Sequence, residues 1–306
     1  MFSDTHCHLR HLKERGVDIA SLVSSLTDEG FRFVLDIGTK PKDFAERVSV
    51  VTESSPSHDV PGFIHFSAGL WPDARVIEDR AESLRALEGD VAAMLELAKT
   101  REASGVASFA ALGECGLDRY WNGPSAPGAI AARADGASSS ADDGPGTADL
   151  AGEEELFGLQ LAMAKEHGLP VIVHSRDAFD ATLGVIRDSG WDRGVIHCFS
   201  YGIAEARAFV DRGWYVSFPG NISWPRKEAD IERVRSLVRY VPRDRLLLET
   251  DAPYLAPAPH RGKTNTPLLV RNIYERAAEY LAIGPDALAE IVFANARELF
   301  AIGTAR

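Results

Sequence analysis

Cysteine is scarce and odd in number: Cys7, Cys115 and Cys198 are the three thiols in 306 residues. That excludes a disulfide-stapled framework and fits a reducing compartment. No run of about eighteen apolar residues occurs, so no transmembrane helix is expected and no membrane partner with it. The start of the chain lacks the basic, apolar and small-residue order of a signal peptide, which makes the cytoplasm the expected location. Basic residues are also in short supply. The 33 Lys and Arg against 45 Asp and Glu leave a net charge of −12, which argues against a broad nucleic-acid-coating surface. Any phosphate recognition must come from a local basic pocket. The hydrophobic content of 45% is ample for a large core, and no internal repeat is evident.

What the chain does have is alternation. Eight β-like stretches run from Phe2 to His6, Phe31 to Gly38, Phe63 to Leu70, Phe109 to Leu117, Leu169 to Ser175, Gly194 to Ser200, Trp214 to Gly220 and Arg245 to Asp251. Several are nearly continuous apolar runs, the pattern of parallel strands buried on both faces. Helix-like stretches separate them, and two more follow the eighth, from Leu268 to Leu281 and from Pro285 to Phe300, with Pro285 suited to a first turn. Strands that alternate with crossover helices predict an α/β fold, a closed (β/α)8 barrel of the TIM type forming a single domain over 1–306. One segment breaks the pattern. From Gly123 to Gly152 the residues are mainly Gly, Ala, Ser, Asp and Pro, which cannot bury enough surface to offset ordering entropy. A disordered insertion between the fourth strand and its helix is expected there.

Six potential metal ligands sit where apolar runs end: His6 and His8 in FSDTHCHL, Glu114 in FAALGECGLD, His174 in LPVIVHSRDA, His197 in GVIHCFS and Asp251 in RLLLETDAPYL. The ends of barrel strands are where such a fold gathers its chemistry. Imidazoles mixed with carboxylates suit a borderline divalent metal acting as a Lewis acid, so the chain reads as a metallohydrolase. His6 and His8 are two apart, a spacing that puts both rings on one face of a strand. The three cysteines adjoin ligands, and strand alternation then predicts that they face the helices, buried and unligated.

At these residues the chain resembles the TatD-related metal-dependent deoxyribonucleases, a branch of the amidohydrolase-like barrels. SDTHCHL, GECGLDRYW, LPVIVHSRDA, GVIHCFS, GWYVSFPGNIS, LLLETDAPYL and HRGKTNTP are similar to that family's motifs, in its order. The resemblance implies two divalent ions, Zn2+, Mn2+ or Mg2+. His6, His8, Glu114 and Asp251 would hold one, and Glu114, His174 and His197 the other, with Glu114 bridging. It further implies phosphodiester cleavage, with Asp251 orienting a water and taking its proton. Arg176, Arg261 and Lys263 are assigned to substrate phosphates, with ordinary surface salt bridges as the competing reading.

Two departures qualify the resemblance. Where family members commonly carry His-Pro-His after the third strand, Gly69 to Asp73 contains no histidine, and RGKTNTP stands in place of RGKRNEP. Among lesser candidates, Asp4 either orients the site or is structural, Asp118 anchors its loop, and Trp71 and Tyr120 either stack a base or pack. His11, His58, His65 and His167 are read as surface or core residues, and His260 is balanced between that and a phosphate role. The expected function is a deoxyribonuclease, 3'-5' exonuclease-like, on single-stranded DNA ends. A metallohydrolase of another bond, such as the ester of a D-aminoacyl-tRNA, is the alternative, and a non-catalytic metal-binding barrel is the third reading.

Overall fold

A computed structural model describes residues 1–123 and 149–301. Its centre is one eight-stranded sheet of parallel strands in sequential order: β1 (Ser3–Cys7), β2 (Phe33–Asp36), β3 (Ile64–Ala68), β4 (Ala110–Asp118), β5 (Val171–Arg176), β6 (Gly194–Ile196), β7 (Tyr215–Phe218) and β8 (Leu246–Leu248). The sheet closes on itself through a parallel bridge between Cys7 and Ala252. Asp251 N donates to His6 O at 2.9 Å and His8 N to Ala252 O at 2.8 Å across that seam. All eight expected strands are present, six of them shorter than their apolar runs and β1 and β4 equal in length to theirs but set one residue later. The runs overshoot because residues beyond the ladder stay buried against the crossover helices.

The helices are α1 (Leu9–Glu14), α2 (Ile19–Asp28), α3 (Phe44–Ser54), α4 (Ala74–Glu78), α5 (Arg80–Ala103), α6 (Arg119–Asn122), α7 (Leu150–His167), α8 (Phe179–Ser189), α9 (Ile203–Val210), α10 (Glu228–Tyr240), α11 (Val270–Leu281) and α12 (Pro285–Phe300). Their ends follow local chemistry. Asp18 caps α2 by accepting from Ala20 N and Ser21 N, α7 stops at Gly168 in the left-handed region with φ 64°, and Pro285 opens α12. The short helices α1, α4 and α6 have no counterpart in the sequence reading. No helix of the described residues is long and apolar enough to cross a membrane.

Residues 124–148 of the expected insertion lie outside the described residues. Its far edge needs correction, because Leu150–Gly152 form the first turn of α7 and Gly152 N donates to the Asp149 cap at 2.9 Å. A capping aspartate recruits small residues into a helix that their composition alone does not favour.

Glycine shapes the one place where strands must approach most closely. Gly116 in β4 has φ 138°, and a Cβ there would lie 2.0 Å from His174 O of β5. Only glycine permits that contact. It sets β4 against β5 where Glu114 and His174 must meet.

Candidate metal centre

His6, Glu114 and His174 lie within β1, β4 and β5, and His8, His197 and Asp251 lie just past the ends of β1, β6 and β8. β1 carries His6, and His8 follows directly in extended backbone at the start of α1. Their Nε2 atoms lie 3.3 Å apart. Glu114 Oε2 is 3.4 Å from the His6 nitrogen and 3.8 Å from the His8 nitrogen, while Asp251 Oδ1 is 3.7 and 3.6 Å from the same two atoms. Two imidazole nitrogens and carboxylate oxygens brought this close are donors of the kind that ligate a divalent metal, and the ligand atoms of His6, His8 and Asp251 all lie within 4.8 Å of one another. The donor set therefore fits a divalent ion.

The other oxygen of Glu114 faces the opposite way. Its Oε1 is 3.0 Å from His174 Nδ1 and 2.9 Å from His197 Nε2, and those two nitrogens are 3.3 Å apart. One carboxylate thus addresses two separate histidine pairs. His6 and His197 bring the groups together, with parallel rings stacked at 4.0 Å.

Neighbouring side chains fix these orientations. Asp118 Oδ2 lies 2.9 Å from His174 Nε2 and its Oδ1 accepts from Trp121 N, so it anchors the loop as expected and also orients a ring. Glu249 Oε1 accepts from Cys198 N at 2.6 Å and stands 3.4 Å from His197 Nδ1. Asp4 is turned away from the imidazoles and accepts from His6 N, Thr250 N and Thr250 Oγ1. Behind the wall, buried Arg47 of α3 donates to Asp36 and Asp43. Asp43 in turn accepts from Thr39 N and Lys40 N, two residues that line the cavity.

Burial makes this cluster electrostatically tense. It opposes charge on His174, but the hydrogen bonds that imidazole makes to Asp118 and Glu114 prevail and hold it up at about 9. His197 likewise overcomes burial through Glu114 and Glu249 and titrates well above the usual range. His6 goes the other way, pushed down to about 4 by burial and then by the neighbouring His197 charge. Burial also works against the Glu114 carboxylate, yet the charge of His197 and hydrogen bonds from His174, His197 and His6 hold it well below the ordinary value.

The centre opens into a cavity of about 450 Å3 lined by His8, Glu114, His174, His197 and Asp251 together with Trp71, Trp121 and Arg176. All six candidate ligands therefore converge. Of the residues assigned to phosphates, only Arg176 reaches the wall. Arg261 and Lys263 are exposed on the loop after β8 and do not line the cavity. Tyr120 does not line it either. Its neighbour Trp121 does, because α6 turns the chain by one residue.

Two sequence expectations are corrected here. Cys7 and Cys115 are buried, with their thiols toward Leu35 O and Ile172 O, but Cys198 lines the cavity. Strand alternation fails for it because β6 ends at Ile196 and Cys198 adopts a left-handed φ of 47°. His11, read as unconnected to the site, lines the cavity and stacks on His8 at 4.9 Å. His65 is in the core, and His58 and His167 are exposed, as anticipated. Glu249 and the Asp36–Asp43–Arg47 group support the site without standing out in the sequence pattern. Glu249 had one available signal, a position two residues before Asp251 in the same motif.

The profile of the family described as TatD related DNase matches residues 3–301. The uncharacterized metal-dependent hydrolase YcfH of Escherichia coli K12 is 31% identical, over 99% of this chain and 97% of its own length. The 3'-5' ssDNA/RNA exonuclease TatD of Cronobacter sakazakii is 34% identical over 66% of this chain and 69% of its own. The crystal structure of YjjV, a TatD homolog from Escherichia coli K12, superposes with a TM-score of 0.70 at 26% identity, covering 98% of this chain and 97% of that one. With barrel, donor cluster and profile in agreement, this chain belongs to the TatD family of metal-dependent hydrolases.

Proposed function

We propose that the chain removes nucleotides from the 3' end of single-stranded DNA or RNA by hydrolysing the terminal phosphodiester, with two divalent ions in the centre. The observation that carries this reading is the division of Glu114, whose two oxygens face His6 with His8 on one side and His174 with His197 on the other. His6, His8, Glu114 and Asp251 would hold one ion, and Glu114, His174 and His197 the second. Bound there, such ions supply Lewis acidity, making water a nucleophile at neutral pH and neutralising phosphoryl charge.

The chain's own groups do the rest. Asp251 lines the cavity while only one of its oxygens faces the His6 and His8 nitrogens, so it orients the attacking water and takes its proton. Arg176 on the wall donates to the phosphate. Trp71 and Trp121 offer ring faces to a base and exclude bulk water, a mode of contact that tolerates any sequence. The name borne by the Cronobacter relative supports single-stranded nucleic acid as substrate.

One feature favours a second reading. Trp71 and Asp73, one neutral and one acidic, line the cavity beside the histidines, where a phosphate-binding wall would gain from positive charge. Hydrolysis of another ester, such as that of a D-aminoacyl-tRNA, fits such a wall. The test is direct. Metal-stripped protein is reloaded separately with Mg2+, Mn2+ and Zn2+ and offered 5'-labelled single-stranded DNA, duplex DNA and aminoacyl-tRNA. A ladder shortening from the 3' end of the single strand supports the proposal, whereas inertness toward DNA with metal-dependent deacylation replaces it with the second reading.

A further inference from the structure

Many arginines of this acidic chain pair with carboxylates, including Arg10, Arg47, Arg80, Arg119 and Arg212. Among the described arginines that make no ion pair, Arg15, Arg176 and Arg261 lie closest over an aromatic ring, whereas Arg271 and Arg297 stand farther from Phe2 and Phe293, at 5.4 and 5.7 Å. Arg15 lies 4.7 Å from the centroid of Tyr254, Arg176 lies 3.8 Å from Tyr120, and Arg261 lies 4.5 Å from Trp224. All three arginines are exposed, and the three rings are partly so.

Their placement in the fold is not scattered. Arg15 caps α1 after β1, Tyr120 lies in α6 after β4, Arg176 ends β5, Trp224 follows β7, and Tyr254 and Arg261 follow β8. Every one leaves the C-terminal end of a barrel strand, on the face where the metal-centre residues emerge. Arg176 and Tyr254 line the cavity itself. The other two pairs occupy the adjoining sectors β7–β8 and β8–β1, across the mouth from β4–β5.

An arginine laid on a ring loses little freedom when it binds, and it keeps its charge and outward N–H groups available. Single strands are recognised by this combination, with bases stacked on rings or guanidinium planes and phosphates taken by the free donors. Cations without a carboxylate partner at the mouth give a polyanion local attraction on a chain of net charge −12.

We propose that Trp224–Arg261 and Tyr254–Arg15 form a track for the nucleotides that precede the one being removed, so that the protein prefers strands of several nucleotides to dinucleotides. This rests on the nuclease reading above, and the experiment separates the two. Arg15 and Trp224 lie outside the cavity, which makes Arg15→Ala, Trp224→Leu and their double variant suitable probes. Mn2+-loaded protein is titrated with fluorescein-labelled dT12 and dT2 carrying phosphorothioate linkages, at several salt concentrations, and hydrolysis of bis(p-nitrophenyl) phosphate reports an intact centre. The double variant is expected to bind dT12 about tenfold more weakly, as loss of one stacking platform and one charge implies, with dT2 binding and diester hydrolysis within about twofold of wild type. Arg15→Ala is expected to reduce the slope of log K against log salt by about 0.7, and Arg15→Lys to restore that slope. Unchanged dT12 affinity and salt slope in the double variant overturn the track, as does equal weakening toward dT2. Wild-type protein that hydrolyses the small diester yet neither binds nor shortens dT12 overturns the nuclease reading, and the track falls with it.

Discussion

His174 Nε2 lies 2.9 Å from Asp118 Oδ2, and that contact turns the other ring nitrogen toward Glu114 at 3.0 Å. A carboxylate behind a histidine selects its tautomer and raises its basicity as a ligand. Asp118→Asn keeps an acceptor for Trp121 N but removes the charge. Metal affinity or activity is expected to fall about 10–100-fold without unfolding. Titration of the metal-stripped variant, followed by calorimetry, is the check. Wild-type affinity would show that Asp118 serves only its loop.

No cysteine belongs to a ligand group among the described residues. Burial, followed by nearby carboxylate charge, also pushes the thiols of Cys7 and Cys198 well above their ordinary range, which disfavours the thiolate a metal needs. Replacing Cys7, Cys115 and Cys198 by Ser is expected to lower stability and leave the metal content unchanged. Elemental analysis of the folded triple variant decides this, and lost metal would assign a ligand role to Cys198.

Glu153 of α7 is fully buried and accepts from Asp118 N at 2.8 Å and Asn122 Nδ2 at 2.9 Å, while Arg119 pairs with its other oxygen. Asn122 also donates to Pro72 O, beside Trp71. One carboxylate thus ties together the walls that carry both tryptophans. Glu153→Ala leaves these donors without their acceptor and is expected to cost about 3 kcal/mol. Urea denaturation is the measurement, and a change below about 0.5 kcal/mol, typical of an ordinary surface substitution, would count against this arrangement.

His65 is packed against Phe33 and Phe109. Burial, and then the charge of Arg101, lowers its pKa from 6.5 to about 3. The unfolded chain takes up a proton near the upper value and the folded chain only near the lower. Stability from this group is therefore complete above pH 6.5 and is lost as pH falls through that window. From pH 7 to pH 5 the loss is about 2 kcal/mol. His65→Gln, which does not titrate, is expected to lose correspondingly less over the same range, with both proteins metal-free in denaturant melts. Identical pH dependence would contradict the buried, neutral state of His65.

How much of this was legible depends on whether the cause is local. Strands such as β5 announce themselves because burial on both faces demands a continuous apolar run, and His6 and His8 because period two is a property of any strand. The Asp118–His174 and His197–Glu249 contacts are not local, since they depend on which strands the barrel sets side by side. Alternation misplaces Cys198 because it holds only while the backbone stays extended, and there it turns left-handed. Helix α1 escaped because six residues carry too little periodicity. The pattern does not separate Trp121 from Tyr120, because a single turn after β4 decides which ring meets the cavity.

The central claim is that the centre built around Glu114 and Asp251 hydrolyses phosphodiesters in single strands. The most direct measurement compares wild type with Asp251→Asn on 5'-labelled single-stranded DNA under matched metal loading. The substitution keeps the shape of the side chain and removes the charge proposed to ligate metal and to accept the proton. The rate is expected to drop by at least about 10²–10⁴-fold, far more than substrate affinity. Cleavage by the variant at the wild-type rate would contradict the claim.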